Sequence, residues 1–363
     1  ESARLYANIK PATIQWENAL DHSIKSFQTC RAISILRAIT GNLAVPGGEI
    51  FITPGPFTRA GRFMLLRDFP RKAERTLGNE FKLATMSAFI PRQSLVKATL
   101  EEKPYPVKAG LFLGTNALLT SPNAAETYQA LMKLEFMVVA ELFMTPTAAI
   151  ADIALPAAGN GEHDEIYPYP PNTDGVLMAH PKIVEPPGEC WSDMRIINEL
   201  AKRAGLKEYF WDDEREALDL ILQPSGLSFD DFKQKRLLEG KKEYRQYEKK
   251  GFRTKSGKVE IYSEQLKELG YSPLPIYQEL SRFGSEPTDE YPLLLTSAKE
   301  RDFTHSAYRS IASLRRIKPE PVVELNPETA DKAGLKEDDW VYIETRRGKI
   351  KQKLQLSAEL DPR

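Results

Sequence analysis

Residues 108–123 read KAGLFLGTNALLTSPN, and residues 135–165 read EFMVVAELFMTPTAAIADIALPAAGNGEHDE. The first stretch holds an apolar run, 109–113, that breaks at Gly114-Thr115-Asn116 and opens toward a helix at Ala124. The second holds another apolar run, 136–140, that ends at Glu141 and passes into a Thr-Pro-Thr turn. Two short, fully apolar runs bounded by breakers and joined by a helical pattern predict a βαβ unit. Such a unit implies a parallel pair with a right-handed crossover. Polar residues stand just past the carboxyl end of both strands, which is where open α/β sheets bind ligands.

Two longer sequence patterns sharpen this picture. Gly114 and Asn116 close one strand, and Phe143, Thr145, Thr147 and the run Ala151-Asp152-Ile153-Ala154-Leu155-Pro156-Ala157 follow the other. Upstream, residues 31–48 read RAISILRAITGNLAVPGG. Together these resemble the molybdopterin-dependent oxidoreductases. Their pattern is a strand ending in Gly-x-Asn, then Phe, Thr-x-Thr and Ala-Asp-x-x-Leu-Pro-Ala, with an Arg-Ala helix ending in Thr-Gly-Asn and Pro-Gly-Gly.

Working outward, residues 16–40 are expected to form a helix with Leu20, Ile24 and Phe27 on one face, and positions 32–39 deeply buried. Gly41 and the Pro46-Gly47-Gly48 turn stop it. Arg59, Arg62, Arg67, Arg71, Lys72 and Arg75 read as a solvated face, with phosphate or partner-subunit contact as the rival reading. Helices are expected over 92–102, 191–204, 213–223 and 229–239, the last capped by Ser228. The charged run 240–251 reads as a solvated excursion, 256–263 as a strand, and 271–292 as a Pro-containing linker. From Pro292 the pattern turns to strands, expected at 293–296, 322–325, 340–345 and 349–356, with a hairpin at Arg347-Gly348. A short helix begins at Asn326-Pro327-Glu328 and ends at Gly334.

The expected fold class is therefore α/β. It comprises a doubly wound, largely parallel sheet with flanking helices over 1–270, a linker over 271–291, and a partial C-terminal β-barrel over 292–363. The resemblance supplies the barrel, whose counterpart in the family closes over the cofactor.

Composition narrows the function. At 363 residues, 41% hydrophobic and 28% charged, the chain has the texture of a globular protein, and a net charge of -1 does not call for nucleic acid. No apolar stretch approaches the ~20 residues of a membrane helix, so direct membrane insertion is not expected. Cys30 and Cys190 are too few for an iron–sulfur cluster. His22, His163, His180 and His305 show no metal-ligand spacing, so no metal ligand is assigned. The chain starts at Glu1 without a signal-peptide pattern and stops soon after a strand, so it reads as part of a longer enzyme, cytoplasmic by default.

The resemblance implies a pair of pterin–guanine dinucleotides chelating molybdenum or tungsten. It also implies a 4Fe–4S cluster on the part of the family's length not covered here, a small-molecule substrate, and an electron-transfer subunit as partner. Guanine presents donors that a strand-end carboxylate accepts, which fits Glu141. Gly114 allows close approach of the ligand, while Asn116 and Thr120 offer hydrogen bonds. Phe143, Thr145 and Thr147 match the family's second strand end. Asp152 and Glu162 read equally as turn fasteners. In LTSAKERDFTHSAYRS, residues 295–310, the matching candidates are Thr296, Lys299, His305 and Ser306, with Lys299 facing pyrophosphate and His305 a pterin nitrogen. Arg31 is the catalytic candidate. The resemblance to the formate dehydrogenases of this family implies an arginine there that lies near the metal and helps hold the substrate anion, and a guanidinium in a buried helix needs an anionic or oxygen partner.

Two other readings compete. One is a non-redox hydratase at tungsten, of the acetylene hydratase type. The other is a cofactor-less structural subunit of the complex I large-subunit type. Retention of Gly114, Asn116, Thr145, Thr147, Lys299 and His305 argues against the second.

Overall fold

The computed structural model describes residues 1–16, 18–49, 52–53, 57–58, 76–83, 90–167, 175–278 and 287–362. The Arg59-to-Arg75 cluster lies outside them. The chain divides into two compact units, each built from two separated stretches: Glu1–Phe89 with Pro156–Tyr277, and Ile90–Leu155 with Gln278–Arg363.

The second unit carries the expected βαβ. Strand Ala109–Leu113 pairs in parallel with strand Phe136–Glu141, from Ala109 opposite Phe136 to Leu113 opposite Ala140. The helix Ala124–Met132 connects them, and Asn123 caps it by accepting from Glu126 N–H. Strand Ile153–Pro156 adds to the far side of Phe136–Glu141. Met137 and Val139 alternate into a core shared with Ala148, against which Phe112, Leu131 and Leu134 pack. Asp152 fastens the sheet. Its N–H donates to the Met137 carbonyl at 2.9 Å, and its Oδ2 accepts from Met137 N–H at 2.7 Å.

The first unit departs from a doubly wound parallel sheet. Its main sheet is antiparallel, with strands Glu165–Tyr167, Val176–His180 and Leu237–Glu239 in that order. The helices Glu214–Leu222 and Phe229–Lys235 bury Leu218, Ile221, Leu222, Phe229 and Phe232 against Ile166 and Leu177. Ser228 forms a capping box with Asp231. The helix expected to reach 239 stops at Lys235. Arg236 takes φ +66° and 237–239 pair with 176–178 instead, satisfying their backbone groups in a sheet.

The expected single helix at 16–40 is two, Asn18–Asp21 and Ser26–Ile39, with Ser23 Oγ accepting from Lys25 N–H in the break. None of Ser26–Ile39 is buried, and Ile39 is exposed. A helix apolar on all sides needs cover on all sides, and the described residues supply only part of it. The expected strand at 256–263 is a set of turns. Thr254 Oγ1 donates to the Lys258 carbonyl at 2.7 Å, and Ser256 N–H donates to Glu260 Oε1 at 3.1 Å. Local side-chain bonds here outcompete strand pairing.

At the C-terminus, three strands form an open sheet, and the described residues show no closed barrel. Strand Trp340–Thr345 is antiparallel to Gly348–Leu356, which is parallel to Val322–Leu325. Thr345 stands opposite Gly348, so the hairpin turns at Arg346-Arg347, one residue earlier than expected. The expected strand at 293–296 is absent. Leu293, Leu294 and Leu295 are all exposed, and three successive leucines lack the alternation that would seat one face on a sheet.

The helix Pro327–Lys332 starts as read, with Asn326 Oδ1 accepting from Glu328 N–H at 2.9 Å and Asn326 Nδ2 donating to the Leu360 carbonyl at 2.7 Å. Asn326→Ala removes both bonds at a buried cap and is expected to cost about 1–2 kcal/mol by urea denaturation.

Candidate functional site

The strand ends of the second unit gather the site. Gly114 N–H donates to the Ala140 carbonyl at 3.1 Å, which extends the parallel ladder one step and sets Gly114 beside Glu141. Both residues therefore stand at the carboxyl ends of neighbouring strands. Gly114 takes φ +54°, and a Cβ built there meets no heavy atom within 4 Å. The glycine thus meets a backbone need and leaves open space over the strand end.

Beyond it, Asn116 and Thr147 lock the two strand exits together. Thr147 is fully buried, and its Oγ1 donates to Asn116 Oδ1 at 2.8 Å while accepting from Leu118 N–H at 3.0 Å. Asn116 is 8% exposed. Its Nδ2 makes no hydrogen bond among the described residues, and neither do the N–H groups of Thr115, Asn116 and Ala117. Thr120 Oγ1 donates to the Asn116 carbonyl at 3.1 Å and accepts from Arg92 Nη1 at 2.7 Å.

The remaining candidates differ in how they are used. Thr145 caps the turn Pro146–Ala149, accepting from Ala148 N–H at 3.2 Å. Phe143 is exposed beside Leu142 and Met144, forming an apolar lip after Glu141. Glu141 Oε1 accepts from Leu142 N–H at 2.9 Å, and its other oxygen has no hydrogen bond among the described residues. Thr296 and Lys299 lie in an exposed stretch without regular structure. His305 and Ser306 occupy the tip of a turn closed by Ala307 N–H donating to the Thr304 carbonyl at 2.8 Å. Among the described residues, no hydrogen bond or ion pair joins these four to the strand-end cluster.

Arg31 lies in the first unit. Its Nη1 donates to Gln28 Oε1 at 3.0 Å, and its Nη2 donates to the Ile261 and Pro273 carbonyls at 3.2 and 3.1 Å. Gln28 Nε2 adds a bond to the Ser272 carbonyl at 3.0 Å. Partial burial pulls the guanidinium below its ordinary pKa, and its partners are carbonyl oxygens with no carboxylate among them. Glu162 serves as a loop fastener, its Oε2 accepting from Gly159 N–H at 2.7 Å. It lines a first-unit cavity of about 220 Å³ with His163, Asp164, Lys182 and Arg215. The charges there answer one another: Arg215 bridges Asp164 and Asp230, and Lys182 pairs with Glu185.

Arg92 is the site residue that sequence reasoning missed. It opens the helix Arg92–Glu101, and its link to Thr120 spans 28 residues without a local motif to announce it.

Among the described residues no group of three or more His, Cys, Asp or Glu side chains forms a metal centre. The strand ends do fit a nucleotide-bearing cofactor. They combine open space above Gly114, an Asn116 amide nitrogen that reaches the surface without a partner among the described residues, unpaired backbone donors, and one carboxylate oxygen free to accept.

Comparison with known proteins gives the class. The chain belongs to the molybdopterin oxidoreductase family: the family model matches residues 3–203, and the molybdopterin dinucleotide-binding domain matches residues 293–363. Among individual proteins, acetylene hydratase of Syntrophotalea acetylenica is 34% identical over 97% of this chain and 52% of its own length. Formate dehydrogenase H of Escherichia coli is 26% identical over 98% of the chain and 51% of its own length. The solved acetylene hydratase from Pelobacter acetylenicus superposes with a TM-score of 0.89 at 31% identity, covering 98% of this chain and 53% of that one. The chain spans about half the length of the curated relatives it matches. No helix among the described residues is long and apolar enough to cross a membrane.

Proposed function

We propose that the full protein is a molybdenum- or tungsten-dependent enzyme in which this chain forms the walls for a guanine dinucleotide end of the cofactor and part of the substrate cleft. The observation that carries this is the strand-end cluster, where Gly114 leaves room and Asn116, its Oδ1 held by Thr147, keeps its amide N–H groups free. Bound there, the cofactor supplies a metal centre with redox or Lewis-acid chemistry that these side chains lack. Asn116 Nδ2 and the backbone N–H groups at 115–117 donate to ligand oxygens, and the free Glu141 oxygen accepts from the guanine edge. Lys299 and His305 are assigned to phosphate and pterin. Thr145 and Thr147 hold the second strand exit in place, and Phe143 shields it from water.

A redox member passes electrons through an iron–sulfur centre and an electron-transfer subunit. That cluster must come from residues outside these 363, since Cys30 and Cys190 supply two thiolates at most. A second reading, water addition at tungsten, is favoured by the higher identity to the acetylene hydratase than to the formate dehydrogenase over nearly the same span.

Elemental and nucleotide analysis of the purified full-length protein tests the proposal. Molybdenum or tungsten together with released guanine nucleotide is the expected result, and absence of both overturns it. Turnover of a hydratable substrate without an electron acceptor separates the hydratase from the redox enzyme.

A further inference from the structure

We propose that Arg92 is the counter-cation for a phosphate of the ligand seated over the Gly114–Thr147 strand ends, and that it sets the direction in which that ligand lies. The inference rests on the nucleotide-site reading above.

Arg92 is a cation without an ion pair among the described residues. Two other cations of the same unit are neutralised, Lys108 by Glu135 at 2.8 Å and Lys133 by Glu102 at 3.0 Å. Yet Arg92 is not loose, because Nη1 is held on Thr120 Oγ1 at 2.7 Å. Thr120 spends its only hydroxyl proton on the Asn116 carbonyl, so its lone pairs face the guanidinium. The relay Arg92 to Thr120 to Asn116 puts a full positive charge one hydroxyl away from the turn that carries the unpaired donors.

A guanidinium has five N–H donors in a planar fork, and one bond to Thr120 leaves the rest free for a planar or tetrahedral oxyanion. Part of the rotamer entropy that an exposed arginine loses on binding is already spent here. Glu141, on the adjacent strand, has the opposite polarity and repels phosphate while accepting from a base edge. A strand-end site with a pinned cation on one flank and an acceptor on the other favours a ligand carrying base donors at one end and phosphates at the other. The phosphate then lies toward Arg92 and Thr120, and the base toward Glu141.

The test compares GDP with guanosine on the full-length protein produced without its cofactor, using calorimetry or fluorescence titration. Wild type is expected to bind GDP more tightly than guanosine, with affinity for GDP falling as salt rises. Arg92→Gln is expected to weaken GDP about tenfold, leave guanosine unchanged, and flatten the salt dependence. Arg92→Lys keeps the charge and is expected to recover part of the loss, which controls for a folding effect, as does an unchanged thermal melt. Equal weakening of GDP and guanosine by Arg92→Gln, or no weakening of either, overturns the assignment of Arg92 while the nucleotide site stands. Failure of wild type to bind either probe overturns the nucleotide-site reading and the Arg92 assignment with it.

Discussion

Thr147→Val is expected to lower stability by about 2–5 kcal/mol, although the substitution hardly changes side-chain volume. The hydroxyl it removes is fully buried and has two partners, Asn116 Oδ1 and Leu118 N–H. The Asn116 oxygen would be left in a buried place and the Leu118 N–H in a part-buried one, each without this bond, at about 1–3 kcal/mol apiece. The loss is local in origin, so hydrogen exchange should rise first over 114–120, the turn that Thr147 holds. Thr147→Ser keeps the hydroxyl and should lose much less, reporting only the missing methyl. In the full-length protein the valine variant is expected to retain less guanine nucleotide. Unchanged exchange at 114–120 in the valine variant would show that the turn does not depend on this bond.

Arg31→Ala is expected to cost about 2–3 kcal/mol, a figure reduced from three charge-assisted bonds because the side chain is only half-buried. Arg31 and Gln28, one turn apart on the same helix face, hold three carbonyls of the 261–273 segment. Removing the guanidinium frees the Ile261 and Pro273 carbonyls together. Arg31→Lys is expected to rescue little, since an ammonium on a flexible stem does not reproduce the planar fork. The family resemblance gives the same residue a role in holding a substrate anion, and the two roles separate cleanly. A clamp predicts a lowered melting temperature, with turnover falling only as far as the segment loosens. A substrate ligand predicts an unchanged melting temperature and collapsed turnover in the full-length protein. Measuring both on one variant decides between them.

The βαβ unit was legible because its signals are local. Uninterrupted apolar runs gave strands at Ala109–Leu113 and Phe136–Glu141, and Gly114 and Pro146 punctuated them where the chain does turn. Asn326-Pro327 and Ser228 worked for the same reason: a cap is written in adjacent residues. What failed was pairing. The 293–296 run has strand composition but no sheet neighbour among the described residues, and 237–239 left a helix pattern because a strand edge was waiting for it. Site residues divide in the same way. Gly114, Asn116 and Glu141 stand in recognisable local patterns, whereas Arg92 reaches the site only through tertiary structure. Arg31 was readable as a guanidinium needing oxygen partners. That those partners are carbonyls from 230 and 242 residues away was not.

The interleaving of the two units has a consequence for synthesis. The segment 90–155 leaves the ribosome long before its companion stretch, which begins at Gln278, about 120 residues later. At roughly 5–20 residues per second, the Gly114–Thr147 strand ends wait about 6–25 s for the rest of their unit. The first unit is the one that can close early, since its last residue, Tyr277, precedes that companion. Chaperone dependence, and any effect of rare codons on yield, should therefore concentrate between positions 156 and 277, where slower translation lengthens the wait.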